Sequence, residues 1–160
     1  MIRKATPEDF DFIYQLHIQP QVNRFLFYEI MPADEFKKIF DDLLLQDILY
    51  IYEESNSLIG MFKLVPKLYR SSHTVFLGGV AIHPSLSGKG HGQKMLNEIL
   101  SLGKEKGFLR TELGVSTINT KAIHLYEKAG FKKEGILKKA IHLKNENLFL
   151  DDVWMAYLYE

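Results

Sequence analysis

Three glycines alternate in the run Ser87-Gly88-Lys89-Gly90-His91-Gly92-Gln93, between a strand-like segment and a helix-like one. Residues without a Cβ let successive backbone N–H groups turn into one concavity, and a helix N-terminus adds the positive end of its dipole. Such a loop takes an anion, and a phosphate or pyrophosphate suits it. Lys89 and His91 add local positive charge, and Ser87 adds a hydroxyl. Two common phosphate loops fail on spacing. A P-loop needs Gly where His83 stands and Ser or Thr where Gly90 stands. A dinucleotide fingerprint begun at Gly88 or Gly90 needs Gly where Gln93 or Met95 stands. A flexible connection without a ligand is the other reading.

Upstream, Gly78-Gly79 interrupt the strand pattern Leu77–Ile82. A glycine pair there implies a bulge that leaves backbone groups unpaired for an extended amide-bearing chain, or else a plain bend. Downstream, Asn119 is a helix cap, and Ala122, Ile123, Tyr126 and Ala129 share one helical face. On general grounds a tyrosine in such a stripe belongs to the core. His73, His83, His91 and His124 lack metal-ligand spacing and no cysteine completes a zinc set, so no metal is expected. No Gly-x-Ser-x-Gly occurs, which leaves a serine hydrolase unsupported.

From about Val75 onward these segments resemble the GNAT N-acetyltransferase family. The family pattern Gln/Arg-x-x-Gly-x-Gly/Ala maps onto Ser87–Gly92, and Asn-x-x-Ala-x-x-Leu-Tyr-x-Lys-x-Gly-Phe maps onto Asn119–Phe131. Phe131–Leu137 and Asp151-Asp152-Val153-Trp154-Met155-Ala156 are similar to the tail of its bacterial members. The resemblance implies acetyl-CoA as co-substrate. Strand backbone at Val80, Ala81 and Ile82 would hold the pantetheine, and the loop from Ser87 through Gly88, Lys89, Gly90, His91, Gly92 and Gln93 the pyrophosphate. Asn119 and Tyr126 would flank the thioester, with Tyr126 protonating the departing thiolate. Ser87 departs from the family's Gln or Arg and shortens the reach of that position.

A lysine-like amine, with a pKa of about 10.4, is almost wholly protonated at neutral pH, so a base and an oxyanion donor are useful. The Val80 N–H is the expected donor. Glu112 is the expected base, from its strand's place opposite the bulge in this type of fold. Alternation puts Glu112 on the face of Gly114; if Leu113 and Val115 face the core, Glu112 is merely solvated. Acceptor recognition is expected around Asn23–Met31, where Phe25, Phe27, Tyr28 and Glu29 mix aromatic and acidic character, unless that stretch is a solvated loop.

The elements that must position these groups follow from periodicity. Ile2–Ala5 reads as a strand and Thr6-Pro7-Glu8-Asp9 as a helix start. A second helix starts near Pro32-Ala33-Asp34-Glu35, and Asp47–Glu53 and Leu58–Val65 form a hairpin. His73–Ile82 and Phe108–Val115 are strands, and Gln93–Lys106 and Asn119–Ala129 are helices, with Gly107 and Gly130 at their ends. Phe131–Leu143 and Leu148–Tyr159 close the chain as a long hairpin. The expected class is α/β (α+β), a single domain over 1–160. A mixed, mostly antiparallel central sheet is flanked by helices and carries a splayed, bulged strand.

Composition agrees. A chain of 160 residues, 46% hydrophobic and 25% charged, is long enough for one core without staples. Twenty Lys+Arg balance twenty Asp+Glu, which argues against nucleic-acid or membrane coating. The absence of cysteine excludes a protein-bound cysteine thioester and favours direct attack by the amine. The expected activity is acetyl transfer from acetyl-CoA to a primary amine of a small molecule or peptide, through a ternary complex. A non-catalytic CoA- or nucleotide-sensing module of the same fold is the alternative. No secretory pattern follows Met1, so a cytoplasmic protein is expected, with neither nucleic acid nor membrane as partner and room for a homodimer.

Overall fold

Thr6 and Asp9 set the first turn of the structure, a computed structural model that describes residues 1–160. The Thr6 N–H donates to the Asp9 carboxylate at 2.8 Å, and the Arg3 guanidinium grips the same carboxylate through two bonds of 2.8 and 2.9 Å. This clamp ties strand β1 (Ile2–Lys4) to a 3-10 turn over Pro7–Asp9, after which helix α1 runs from Phe10 to Ile18. The expected helix start therefore opens as a tighter turn. A short helix α2 (Pro20–Asn23) follows, begun by a proline at its first position. Helix α3 (Ala33–Leu45) turns Phe36, Phe40 and Leu43 inward.

The remaining elements are β2 (Leu49–Glu54), β3 (Ser57–Pro66), β4 (Thr74–Ile82), α4 (His91–Glu105), β5 (Arg110–Ser116), α5 (Thr120–Ala129), β6 (Lys132–Leu143) and β7 (Leu148–Leu158). All seven strands join one sheet in the order β1-β2-β3-β4-β5-β7-β6. Every neighbouring pair is antiparallel except β4 and β5. The mixed, mostly antiparallel sheet expected from the sequence is thus the one observed. No helix is long and apolar enough to cross a membrane.

Alternation along the strands feeds two cores. Phe62, Leu64, Leu113, Val115, Val153 and Met155 pack with Met95, Leu96 and Ile99 of α4 and with Tyr126 of α5. Ile51, Met61 and Ala81 pack on the other face with Ile13, Leu16, Phe36 and Phe40 of α1 and α3. Burying both faces requires apolar side chains at successive strand positions, which explains the near-continuous apolar run Leu49-Tyr50-Ile51-Tyr52.

Two irregularities in β4 shape the site. Its parallel pairing with β5 covers only Thr74–Phe76 against Arg110–Glu112. Beyond Phe76 the strands part, and the β5-facing edge of β4 is left without a ladder. Against β3 the register slips between Met61 and Lys63, and Gly79 there takes a left-handed φ of +59°. The slip reverses the phase of the strand: Val75 and Leu77 face the α4/α5 core, whereas Ala81 faces the α1/α3 core. A bulge is the device that makes such a reversal without breaking the strand. Gly78-Gly79 therefore mark a bulge and not a plain bend.

Candidate active site

The gap between β4 and β5 continues into a cleft of about 800 Å³. Its lining includes Val80, Ala81 and Ile82 of β4, the loop residues Ser87, Gly88, Gly90, Gly92 and Gln93, and Asn119 and Tyr126 of α5 and its cap. Ten of the thirteen residues expected to bind the donor or act in catalysis thus meet in one concavity. Lys89, His91 and Glu112 do not line it.

The loop is built as its glycines require. Gly90 is the cap of α4 and sits at φ +83°, a left-handed conformation that a residue with a Cβ adopts only under strain. The N–H groups of Ser87 and Lys94 find carbonyls within the chain, but none of those from Gly88 through Gln93 donates a hydrogen bond. A run of unpaired donors at the start of a helix is an anion site by geometry. The Gln93 side-chain oxygen is also buried without a partner.

The cations that accompany this loop differ from those expected. His91 turns away from the cleft, its Nδ1 3.3 Å from the Glu54 carboxylate. Lys121 arrives from α5 instead and donates to the Ser87 hydroxyl at 2.6 Å, lining the cleft. The short Ser87 is therefore bridged to a long cationic side chain, a substitution that only the packing of α5 beside the loop brings about.

Tyr126 projects from the buried face of α5, with its ring edge-on to Phe131 at 5.6 Å between centroids. Its hydroxyl has no protein hydrogen-bond partner, and burial pushes its phenol well above the ordinary tyrosine range. It is both packed in the core and part of the cleft wall, so the two readings of this residue are compatible. Asn119 caps the helix through a 3.3 Å bond from the Ala122 N–H.

Glu112 is corrected on both counts. It shares a face with Gly114, opposite Leu113 and Val115, but it lies where β4 and β5 are still paired, below the cleft. Nor is it solvated: it is 4% exposed, held by the Lys67 ammonium and by Arg110 Nε at 2.8 Å, while Arg110 also grips Glu134. Burial opposes its charge, yet the hydrogen bonds from Lys67 and Arg110 prevail and lower its pKa below the ordinary 4.5. A lowered pKa makes a poor base. The role supported is structural, and the sign of its linkage follows. Because the folded state holds the proton less tightly, this carboxylate's stabilisation is complete above the ordinary value and fades as pH falls through the folded one. Glu112→Gln is expected to lower unfolding stability at neutral pH by about 1.5–3 kcal/mol, with the deficit shrinking on acidification below 4.5. Urea titrations across that range check it.

The cleft also holds residues to which the motifs assign no role. Asp152 of β7 lies in its wall with no ion pair or hydrogen bond, beside Ser116, its register partner, whose hydroxyl is buried without a partner. Burial, aided by the neighbouring Asp151, raises the Asp152 carboxyl above the usual range. Lys63 of β3 is in the same lining, across the β4/β5 gap, with its ammonium over the rings of Phe27 and Tyr28. Strand alternation against Val153 and Met155, or against Phe62 and Leu64, was the available signal for both.

A family model described as "Acetyltransferase (GNAT) family" matches residues 10–131. The chain is 31% identical over 105 residues to N-acetyltransferase aca1 of Schizosaccharomyces pombe, a match covering 65% of this chain and 48% of that protein. The chain thus spans about half the length of that relative. Among solved structures, spermidine N-acetyltransferase from Vibrio cholerae in complex with CoA and spermine superposes with a TM-score of 0.86 at 23% identity, over 99% of this chain and 94% of that one. YncA from Salmonella typhimurium with its cofactor acetyl-CoA superposes at 0.78 and 19% identity, over 100% and 94%. At these identities the likeness is one of fold.

Proposed function

The chain belongs to the acetyltransferase (GNAT) family, and from that premise we propose that it transfers an acetyl group from acetyl-CoA to a primary amine by direct attack in a ternary complex. The observation that carries this is the run of unpaired N–H groups from Gly88 through Gln93, opening into the same cleft as Tyr126 and the unladdered edge of β4. Anion binding alone would need only the loop. A cleft extending from that loop past a strand edge suits a long donor with phosphate at one end and amides along its length. CoA and acetyl-CoA in the neighbouring structures support the donor, and spermine in one of them supports an amine as acceptor.

The thioester supplies an activated acyl carbon. The loop amides, with Lys121 beside them, hold the diphosphate, and the free edge of β4 pairs with the amide-bearing arm. The Val80 N–H follows the bulge at Gly79 and receives the carbonyl oxygen as charge builds there. The neutral amine nitrogen attacks the carbonyl carbon, a C–N bond forms and the C–S bond breaks. The sulfur leaves as a thiolate and takes the Tyr126 proton. The proton lost by the amine nitrogen returns to the Tyr126 oxygen through solvent. Burial keeps the phenol protonated, so its proton is in place when the sulfur leaves.

Calorimetry with acetyl-CoA, followed by detection of released thiol across pooled primary amines, tests the proposal. Saturable binding and amine-dependent thiol release are expected. Absence of binding at millimolar donor overturns the donor assignment. Binding without thiol release for any amine favours the sensing module instead.

A further inference from the structure

Lys63 and Asp152 are charges without partners in a cleft that otherwise offers mostly apolar and aromatic walls. The flanking residues of Lys63, Phe62 and Leu64, face the α4/α5 core, as do Val153 and Met155 beside Asp152. Lys63 and Asp152 consequently share the opposite face of the sheet, as do Ser116 and Trp154. Phe25 and Phe27 join the same cleft from the segment between α2 and α3. The loop that suits the diphosphate lies at the start of α4, on the α4/α5 side. The second side of the cleft is left for the acceptor.

The Lys63 ammonium lies 5.9 and 5.2 Å from the ring centroids of Phe27 and Tyr28 and makes no ion pair. Its stem passes beside the bulge: a Cβ placed on Gly79 would meet Lys63 Cε at 3.2 Å. That position is next to Val80, where the carbonyl oxygen is proposed to sit. Across the gap, Asp152 stands beside the unpartnered hydroxyl of Ser116. Withdrawing a charge from water without a counter-charge costs stability, so an unpaired cation and an unpaired anion in one cleft fit a ligand that supplies both counter-charges. Of the other lining cations, Arg24 pairs with Glu146 and Lys121 donates to Ser87, while Lys128 is exposed and unpaired on α5, on the other side of the sheet from Lys63 and Asp152.

Resting on the acetyl-transfer reading, we propose that the acceptor is an amino acid, its carboxylate held by Lys63 and its amine by Asp152 and Ser116. The aromatic walls from Phe27 and Trp154 receive the side chain. Burial that lowers the Lys63 ammonium pKa and raises that of the Asp152 carboxyl registers how poorly each is solvated before the ligand arrives. A raised carboxyl pKa also favours taking a proton from an ammonium seated against it.

The test is thiol release from acetyl-CoA with free amino acids, the matching carboxamides, and spermidine. Free amino acids are expected to be the best acceptors, with KM raised about tenfold or more for the carboxamides, as loss of one charged hydrogen bond implies. In Lys63→Met that ratio should collapse towards one, while Lys63→Arg retains it; acetyl-CoA binding by calorimetry confirms that both variants fold. Equal use of acid and carboxamide by the unaltered protein, or a preference for spermidine, overturns the amino-acid assignment and leaves acetyl transfer standing. Donor binding with no thiol release for any acceptor overturns the transfer reading, and this assignment with it.

Discussion

Tyr126→Phe is expected to lower the turnover of acetyl transfer by about 10²–10⁴-fold, the range for loss of a positioned general acid. Acetyl-CoA binding should stay within about twofold, because a single hydrogen bond contributes little where the loop amides carry the affinity. The substitution removes one oxygen and leaves the ring. Tyr126 packs edge-on against Phe131 inside the core that also holds Met95 and Leu113, and phenylalanine keeps those contacts. The hydroxyl has no protein partner to lose, so the folded state is expected to be unharmed. Burial holds the phenol neutral well above ordinary tyrosine, so activity should persist into mildly alkaline solution without the tyrosine titrating. Steady-state kinetics beside calorimetry separates the two roles. Unchanged turnover would assign Tyr126 to packing alone.

The second large effect is on the donor. Gly90→Val should weaken acetyl-CoA binding by at least about tenfold, because a left-handed β-branched residue costs about 1–2 kcal/mol or more and the loop must turn to relieve it. A Cβ at Gly90 meets nothing within 4 Å, so the expected loss is conformational and not a clash with the protein. Turning the peptide unit at φ +83° would re-aim N–H groups that now point the same way at the start of α4. Gly107 is the natural control. It follows the other end of α4, is also left-handed at φ +81°, and its Cβ position is equally open. Gly107→Val should lose comparable stability in urea while binding acetyl-CoA normally. If both variants bind alike, the loop conformation is not what holds the donor.

Much of the fold was legible because its signals are local. The cap Asn119, the stripe through Tyr126 and the stop at Gly130 delimit α5 within a residue of its observed span. The long closing hairpin appears as β6 and β7, and Gly78-Gly79 mark the bulge in β4. The loop was legible for the same reason, since its unpaired amides between a strand and a helix come with glycines at alternate positions. The first-half turn over Pro7–Asp9 was less so, because the Asp9 carboxylate is captured by Arg3 from a neighbouring strand.

The site's charges were another matter. Lys89, His91 and Glu112 were singled out by their place in the chain, yet His91 answers Glu54, and Glu112 answers Lys67 and Arg110. Each of those partners comes from a different element or strand position, and motif spacing does not report it. Lys121, Lys63 and Asp152 receive no role from motif position, and their importance arises only where α5, β3 and β7 converge on one cleft. By itself the sequence determined what depends on near neighbours: the elements, the bulge and the anion-binding loop, through backbone sterics and the 2.0 and 3.6 periodicities. The tertiary structure alone decided which ionisable groups are paired and which stay free. That depends on strand order and on where β4 leaves β5, and a charge becomes available for chemistry only when packing leaves it without a partner.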